Sequence, residues 1–258
     1  MSHLYFCYIG NKRNEYKFIE DKFNFDGIEN IIEPFCGSAA ISFNIWLKHK
    51  NRFHYYINDK DKDLIEIYQM FKITEPNIIY DKIKDIASKI TNKELFIELH
   101  KKENKNVFEC FFRRIMSGIS LGWYRGDTKS NLKYFSSLQL LFLEFLRCDY
   151  VYITNNDWFD IFDIYKNDEK TIFIFDPPYL NRDKRPYVKP TLRVYDYFKN
   201  NNINTFNSHI FFMLEDIPIV RELFIDNKIY EPYHKKYTIK SKDPTRTNTK
   251  HIVISNKF

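Results

Sequence analysis

Asp176-Pro177-Pro178-Tyr179 follows Thr171-Ile172-Phe173-Ile174-Phe175, a run that is mostly apolar and β-prone. A buried strand thus ends on an acid, and the backbone is then stiffened twice. Two prolines fix φ and give up two N–H donors, which leaves carbonyl acceptors rigidly aimed. Asp176 adds carboxylate acceptors, and Tyr179 adds a flat ring able to stack on a base. Acceptors beside a stacking ring suit an exocyclic amino group of a nucleobase. Such an amine is a poor nucleophile because its lone pair is conjugated into the ring. Hydrogen bonds from it to Asp176 and the Pro177 carbonyl favour a pyramidal nitrogen with an available lone pair. The plainer alternative is a Pro-Pro turn that only ends a strand.

Two other stretches offer ligand contacts. Glu33-Pro34-Phe35-Cys36-Gly37-Ser38-Ala39 links an apolar run to ISFNIWL. Gly37 lets a ligand approach the backbone, and the following helix offers unpaired N–H groups. The spacing is not GxGxxG, so a pyrophosphate cofactor is not favoured; a plain tight turn is the alternative. Asn58-Asp59 follows FHYYI, roughly 20 residues after the glycine turn, where an acid can accept both hydroxyls of a ribose. The alternative is a helix N-cap, a role that Asp61 or Asp63 could also fill. The four cysteines, Cys7, Cys36, Cys110 and Cys148, form no CxxC pair, so neither a zinc site nor a disulfide framework is suggested.

Elements that would position these residues are legible from periodicity. Strands are expected at 28–33, 53–57, 151–154, 171–175 and 209–214. Helices are expected after Gly37, over DLIEIYQMF, over 136–148 and over IPIVRELF, and KKYTIK and KHIVISN read as a β-hairpin. Strands alternating with helices predict an α/β fold, a mainly parallel sheet with helices on both faces. In such sheets ligands bind beyond the carboxyl ends of the strands. Gly37, Asp59, Asp157 and Asp176 all fall there, so four strand ends are expected to converge on one crevice. Residues 73–135 read differently, helical and then turn-rich; Gly118, Gly122 and Gly126 are half of the 6 glycines. They are expected to be an insertion into a domain made of 1–72 and 136–258.

With 258 residues, 44% hydrophobic and 18% aromatic, the chain can bury a sizeable core. A formal charge of +6 and a pI near 8.9 permit a polyanionic partner without requiring one. No window approaches ~20 uninterrupted apolar residues. A soluble intracellular protein without a signal peptide is expected.

The constellation resembles the Dam-type DNA adenine-N6 methyltransferases of bacteria and phages over nearly the whole chain. Tyr8-Ile9-Gly10-Asn11-Lys12 is similar to the family's N-terminal cofactor motif, and Glu33-Pro34-Phe35-Cys36-Gly37-Ser38 to its strand-to-helix loop. Asn58-Asp59 with Asp63-Leu64-Ile65 and Tyr68 resembles its next motif, Asp176-Pro177-Pro178-Tyr179 its catalytic motif, and Lys250–Asn256 its C-terminal strand. The catalytic motif alone also occurs in enzymes acting on other base amines; five motifs in order are far more specific. The resemblance implies a Rossmann-like methyltransferase fold and S-adenosylmethionine as donor. Tyr8, Lys12, Glu33, Pro34, Phe35 and Gly37 would line its site, Asp59 would hold the ribose, Asp157 would lie by the adenine, and Asp176 would lie beside both donor and amine. The implied reaction is methyl transfer to adenine N6 in double-stranded DNA, with no metal. The insertion is implied to recognise the target.

Acting on a base in a duplex requires flipping the nucleotide out, at a few kcal/mol. Arg113, Arg114, Tyr124, Arg125 and Lys129 of the insertion are expected to touch DNA, with one of the adjacent arginines structural. Arg182, Lys184 and Arg185 are expected on a loop that closes over the base. Each is also readable as ordinary exposed charge. Cys7 stands where some family members carry a base-contacting lysine. A restriction endonuclease partner, a monomer or weak dimer, and a bacterial or virus-infected cytoplasm are consistent with the resemblance. Rival readings are methylation of RNA adenine or cytosine N4, and an inactive DNA-binding homologue.

Overall fold

The structure is a computed structural model, and it describes residues 12, 15–117, 137–180, 188–236 and 248–256. In chain order the elements are α1 (Tyr16–Ile19), β1 (Asn30–Glu33), α2 (Ala40–His49), β2 (His54–Asn58), α3 (Lys62–Ile73), α4 (Pro76–Lys89), α5 (Lys93–Lys101), α6 (Val107–Met116) and α7 (Ser137–Arg147). Then come β3 (Val151–Thr154), α8 (Trp158–Tyr165), β4 (Thr171–Phe175), α9 (Val188–Asn200), β5 (His209–Glu215), α10 (Pro218–Leu223), β6 (Lys228–Ile229), β7 (Tyr233–Lys236) and β8 (Asn248–Ser255).

The sheet runs β3-β2-β1-β4-β5-β8-β6, with β7 also on β8. The first five strands pair in parallel, and β8 pairs antiparallel with β5, β6 and β7. This is the expected α/β architecture. The period of two along each strand divides the apolar residues between the faces. Ile31, Tyr55, Ile172, Phe211 and Val253 pack under α2, α3 and α7. Ile32, Phe173, Phe212 and Ile254 pack under α8, α9 and α10. All five residues of β4 are buried, as a strand covered on both faces requires.

Local signals fix the helix starts. Asp61 accepts from the Leu64 N–H at α3, Asn92 caps α5, and Asn106 with Glu109 forms a capping box at α6. The described helices of the expected insertion, α4 to α6, have no core of their own. Ile79, Phe96 and Phe111 belong to the same cluster as Tyr68 and Phe71 of α3. The predicted turn-rich stretch around Gly118–Gly126 lies outside the described residues. Among the described residues, no helix is long and apolar enough to cross a membrane.

The chain lays down β1, β2 and β3 in one direction, then returns to place β4 on the other side of β1. The gap beyond the β1 and β4 tips is therefore a topological switch point, where a parallel sheet opens a crevice.

Candidate active site

The β1–α2 turn forms one wall. Gly37 has φ +46, a left-handed conformation open to glycine without penalty. Ala39 is also left-handed, at φ +49, although it has a Cβ and is buried, an arrangement costing about 1–2 kcal/mol. The surrounding bonds hold the turn in place. Tyr68 donates to the Gly37 carbonyl at 2.7 Å, and the Cys36 N–H donates to the Asn58 carbonyl at 2.8 Å. Pro34 is buried, while Phe35 is half-buried against Trp158 and Phe175.

Asn58 ties three strand tips together. Its amide donates to the Pro34 and Asn156 carbonyls, both at 3.1 Å, and its oxygen accepts from Thr154 Oγ1 and the Asn156 N–H. This knot presents Asp59, whose two oxygens accept from the Gly37 and Asp61 N–H groups, each at 2.9 Å. Burial pushes the Asp59 carboxyl up, opposed by those two amides. Asp61 takes the N-cap role of α3, which leaves Asp59 with lone pairs for a ligand. Asp157 caps α8 through the Phe159 N–H and pairs with Lys60 at 2.9 Å and Arg193 at 3.5 Å. Its partial burial raises its carboxyl, but the Lys60 bond, the Phe159 amide and the nearby cations outweigh this and hold it low.

Glu33, at the end of β1, is 4% exposed, and its Oε1 accepts from the Ser42 N–H. Burial pushes its carboxyl up to about 7; hydrogen bonding from Ser42 opposes this, the Asp176 charge adds to it and Lys12 subtracts.

The other wall is the β4 tip. Pro177 is buried and Pro178 exposed. Asp176 Oδ1 lies 2.7 Å from Lys12 Nζ. The same ammonium donates to the Tyr179 oxygen at 2.5 Å and sits 5.0 Å from the centre of that ring. Tyr179 donates to Asp176 Oδ1 at 3.3 Å and lies 3.4 Å from His251 Nδ1. The His251 ring meets that of Tyr179 edge-on, with centroids 5.2 Å apart. Beyond it, His251 Nδ1 is 3.5 Å from Glu15 Oε2, which also accepts from the Tyr233 hydroxyl at 2.8 Å.

Lys12, expected to line the donor site, thus rests on Asp176 itself. Tyr179, expected as an open stacking surface, is 7% exposed, with the Lys12 ammonium on its hydroxyl. Arg113 and Arg114 need correction as DNA contacts. Both are buried, Arg113 on Asp63 at 2.6 Å and Arg114 on both Asp61 oxygens at 2.7 Å. The reason is packing: α6 from Cys110 to Met116 is buried, so its arginines neutralise the acids at the start of α3. Those acids were readable in the sequence as partners for basic residues. Tyr8, Tyr124, Arg125, Lys129, Arg182, Lys184 and Arg185 lie outside the described residues.

Sequence reasoning gave no role to Glu15 or Tyr233 and used His251 only as part of a motif. Asn58 was noted beside Asp59 without its bracing role. A buried-type polar residue inside an apolar strand, His251 in HIVIS, was the available signal.

The family described as D12 class N6 adenine-specific DNA methyltransferase matches residues 8–238 of the chain. No curated protein matches it.

Proposed function

The chain belongs to the D12 class of N6 adenine-specific DNA methyltransferases, and from that membership we propose that S-adenosylmethionine is its donor and the β1/β4 crevice its active site. The observation carrying this reading is the convergence of Gly37, Asp59 and Asp176 at the tips of the adjoining parallel strands β1, β2 and β4.

The residues present fit the donor. Asp59 is held by two backbone amides with further acceptor capacity, as a ribose diol requires. The left-handed Gly37 and Ala39 shape the turn whose Gly37 N–H meets Asp59, and Phe35 offers an apolar surface. Bound there, S-adenosylmethionine supplies an electrophilic methyl group. Asp176 and the Pro177 carbonyl accept N–H bonds from the target amine and favour a pyramidal nitrogen. Lys12 balances the Asp176 charge and fixes one carboxylate oxygen, so acceptor geometry is set before the base arrives. Tyr179 stacks on the flipped adenine once a face of its ring is uncovered. Tyr124, Arg125 and Lys129, with Arg182, Lys184 and Arg185, supply the DNA contacts that offset flipping.

Proton loss follows methyl transfer, because a neutral adenine amine is far too weak an acid to ionise first. A large solvent isotope effect on the methyl-transfer step counts against that order. The deciding experiment is product chemistry. Purified protein, S-adenosylmethionine and unmethylated mixed-sequence DNA are incubated, digested to nucleosides and resolved by mass spectrometry. N6-methyldeoxyadenosine is expected. N4-methyldeoxycytidine, or product on an RNA control alone, overturns the substrate assignment; donor binding without any product favours an inactive homologue.

A further inference from the structure

We propose that His251 is a positioning residue for the reaction, acting through the Tyr179 hydroxyl on Asp176. The inference rests on the active-site reading above.

Topology brings His251 there. Strand β8 runs antiparallel to β5, with His251 opposite Glu215, the last residue of β5. The start of β8 therefore lies at the same sheet edge as the carboxyl ends of the parallel strands. His251 is fully buried, and a buried imidazole is stable only when hydrogen-bonded. Its Nδ1 faces two oxygens, Tyr179 Oη at 3.4 Å and Glu15 Oε2 at 3.5 Å. Glu15 also accepts from Tyr233, and its carboxylate can only accept when ionised. The arrangement is coherent if Nδ1 carries the hydrogen and shares it between the two oxygens.

A direction then follows for each of these bonds. A phenolic oxygen accepts through its lone pairs and donates one hydrogen. With that tautomer, Lys12 Nζ and His251 Nδ1–H both donate to the Tyr179 oxygen, and its own hydrogen is left for Asp176 Oδ1. His251 thereby sets the torsion of the hydroxyl that, with Lys12, holds the acceptor of the target amine. Glu15 and Tyr233 hold the imidazole. This chain also sets the Tyr179 ring, which stands nearly perpendicular to that of His251.

The test compares His251→Phe, which keeps a ring and loses the nitrogen, with His251→Asn, which keeps a polar atom near the Nδ1 position. Single-turnover methyl transfer to unmethylated DNA is measured at saturating S-adenosylmethionine, with donor affinity by calorimetry. His251→Phe is expected to slow transfer about 10- to 100-fold, the scale of a small misplacement of a reacting group. Donor affinity is expected within about twofold of wild type, and His251→Asn within about threefold of the wild-type rate. Tyr179→Phe, which removes only the hydroxyl, is expected to show the same loss, and the double variant no further loss. A wild-type rate in His251→Phe or in Tyr179→Phe overturns the proposal. So does an equal loss in His251→Phe and His251→Asn, since volume and not the hydrogen bond then matters. The same cycle read by unfolding free energy needs no turnover. Coupling there without N6-methyladenine from wild type refutes the proposed active site while leaving the contact standing; no coupling refutes the contact.

Discussion

Glu33 gives the sharpest physical test of the site. Burial pushes its carboxyl from an ordinary 4.5 up to about 7. Below pH 4.5 the group is protonated in folded and unfolded chains alike, and the neutral form suits the buried site. Between 4.5 and 7 the unfolded chain releases the proton while the folded protein holds it, so stability falls as pH rises. Above 7 the loss is complete, and the interval corresponds to about 3 kcal/mol. Glu33→Gln stays neutral throughout and keeps an oxygen for the Ser42 N–H. Its unfolding free energy is therefore expected to exceed that of wild type by under about 1 kcal/mol at pH 5 and by about 3 kcal/mol at pH 8. Urea unfolding followed by far-UV circular dichroism at half-unit steps supplies the difference. Titrating groups common to both proteins drop out of it to first order. A difference that is flat with pH, or that shrinks as pH rises, refutes the buried neutral carboxyl.

Four other variants have expected outcomes. Asp176→Asn should lower methyl transfer by more than about 100-fold, the scale of losing a preorganised electrostatic contact, while retaining donor binding. It also strands the buried Lys12 cation, so adding Lys12→Met should recover stability but not activity; calorimetric unfolding and nucleoside analysis of the double variant decide this. Arg114→Ala should cost about 2 kcal/mol of stability, less than a fully buried pair because Asp61 is 30% exposed. Its DNA affinity should keep the wild-type dependence on salt, and a slope reduced by about one would return Arg114 to the phosphate contacts. Lys184→Ala should reduce that slope by about one, whereas Arg125→Ala should weaken cognate DNA more than non-specific DNA. Equal losses on both DNAs refute the groove role of Arg125.

Strands at 151–154 and 171–175 coincide with expectation, and those at 28–33, 53–57, 209–214 and 250–256 differ by one or two residues at their ends; β6 was not expected, and residues 237–240 of the expected KKYTIK strand lie outside the described residues. The matched strands were legible because β-branched and aromatic runs between polar turns carry their signal locally. The alternation of strands and helices then determined that Gly37, Asp59, Asp157 and Asp176 stand at one edge, since parallel connections place every carboxyl end on the same side. Partnership was not local. Lys12 meets Tyr179 across 167 positions, and no spacing rule reaches that far. A basic residue near a catalytic acid in space looks, along the chain, like a basic residue anywhere. Arg113 and Arg114 show the converse. Their charge suggested a polyanion, but the packing of α6 on α3 buried them against Asp61 and Asp63. His251 reads as one polar residue in an apolar strand until the antiparallel register of β8 carries it to the site. Sequence by itself determined the elements, their order and the chemistry at their tips, because these follow from periodicity and residue type. Tertiary structure alone decided which charges meet, because burial and strand register set the distances on which hydrogen bonds and ion pairs depend.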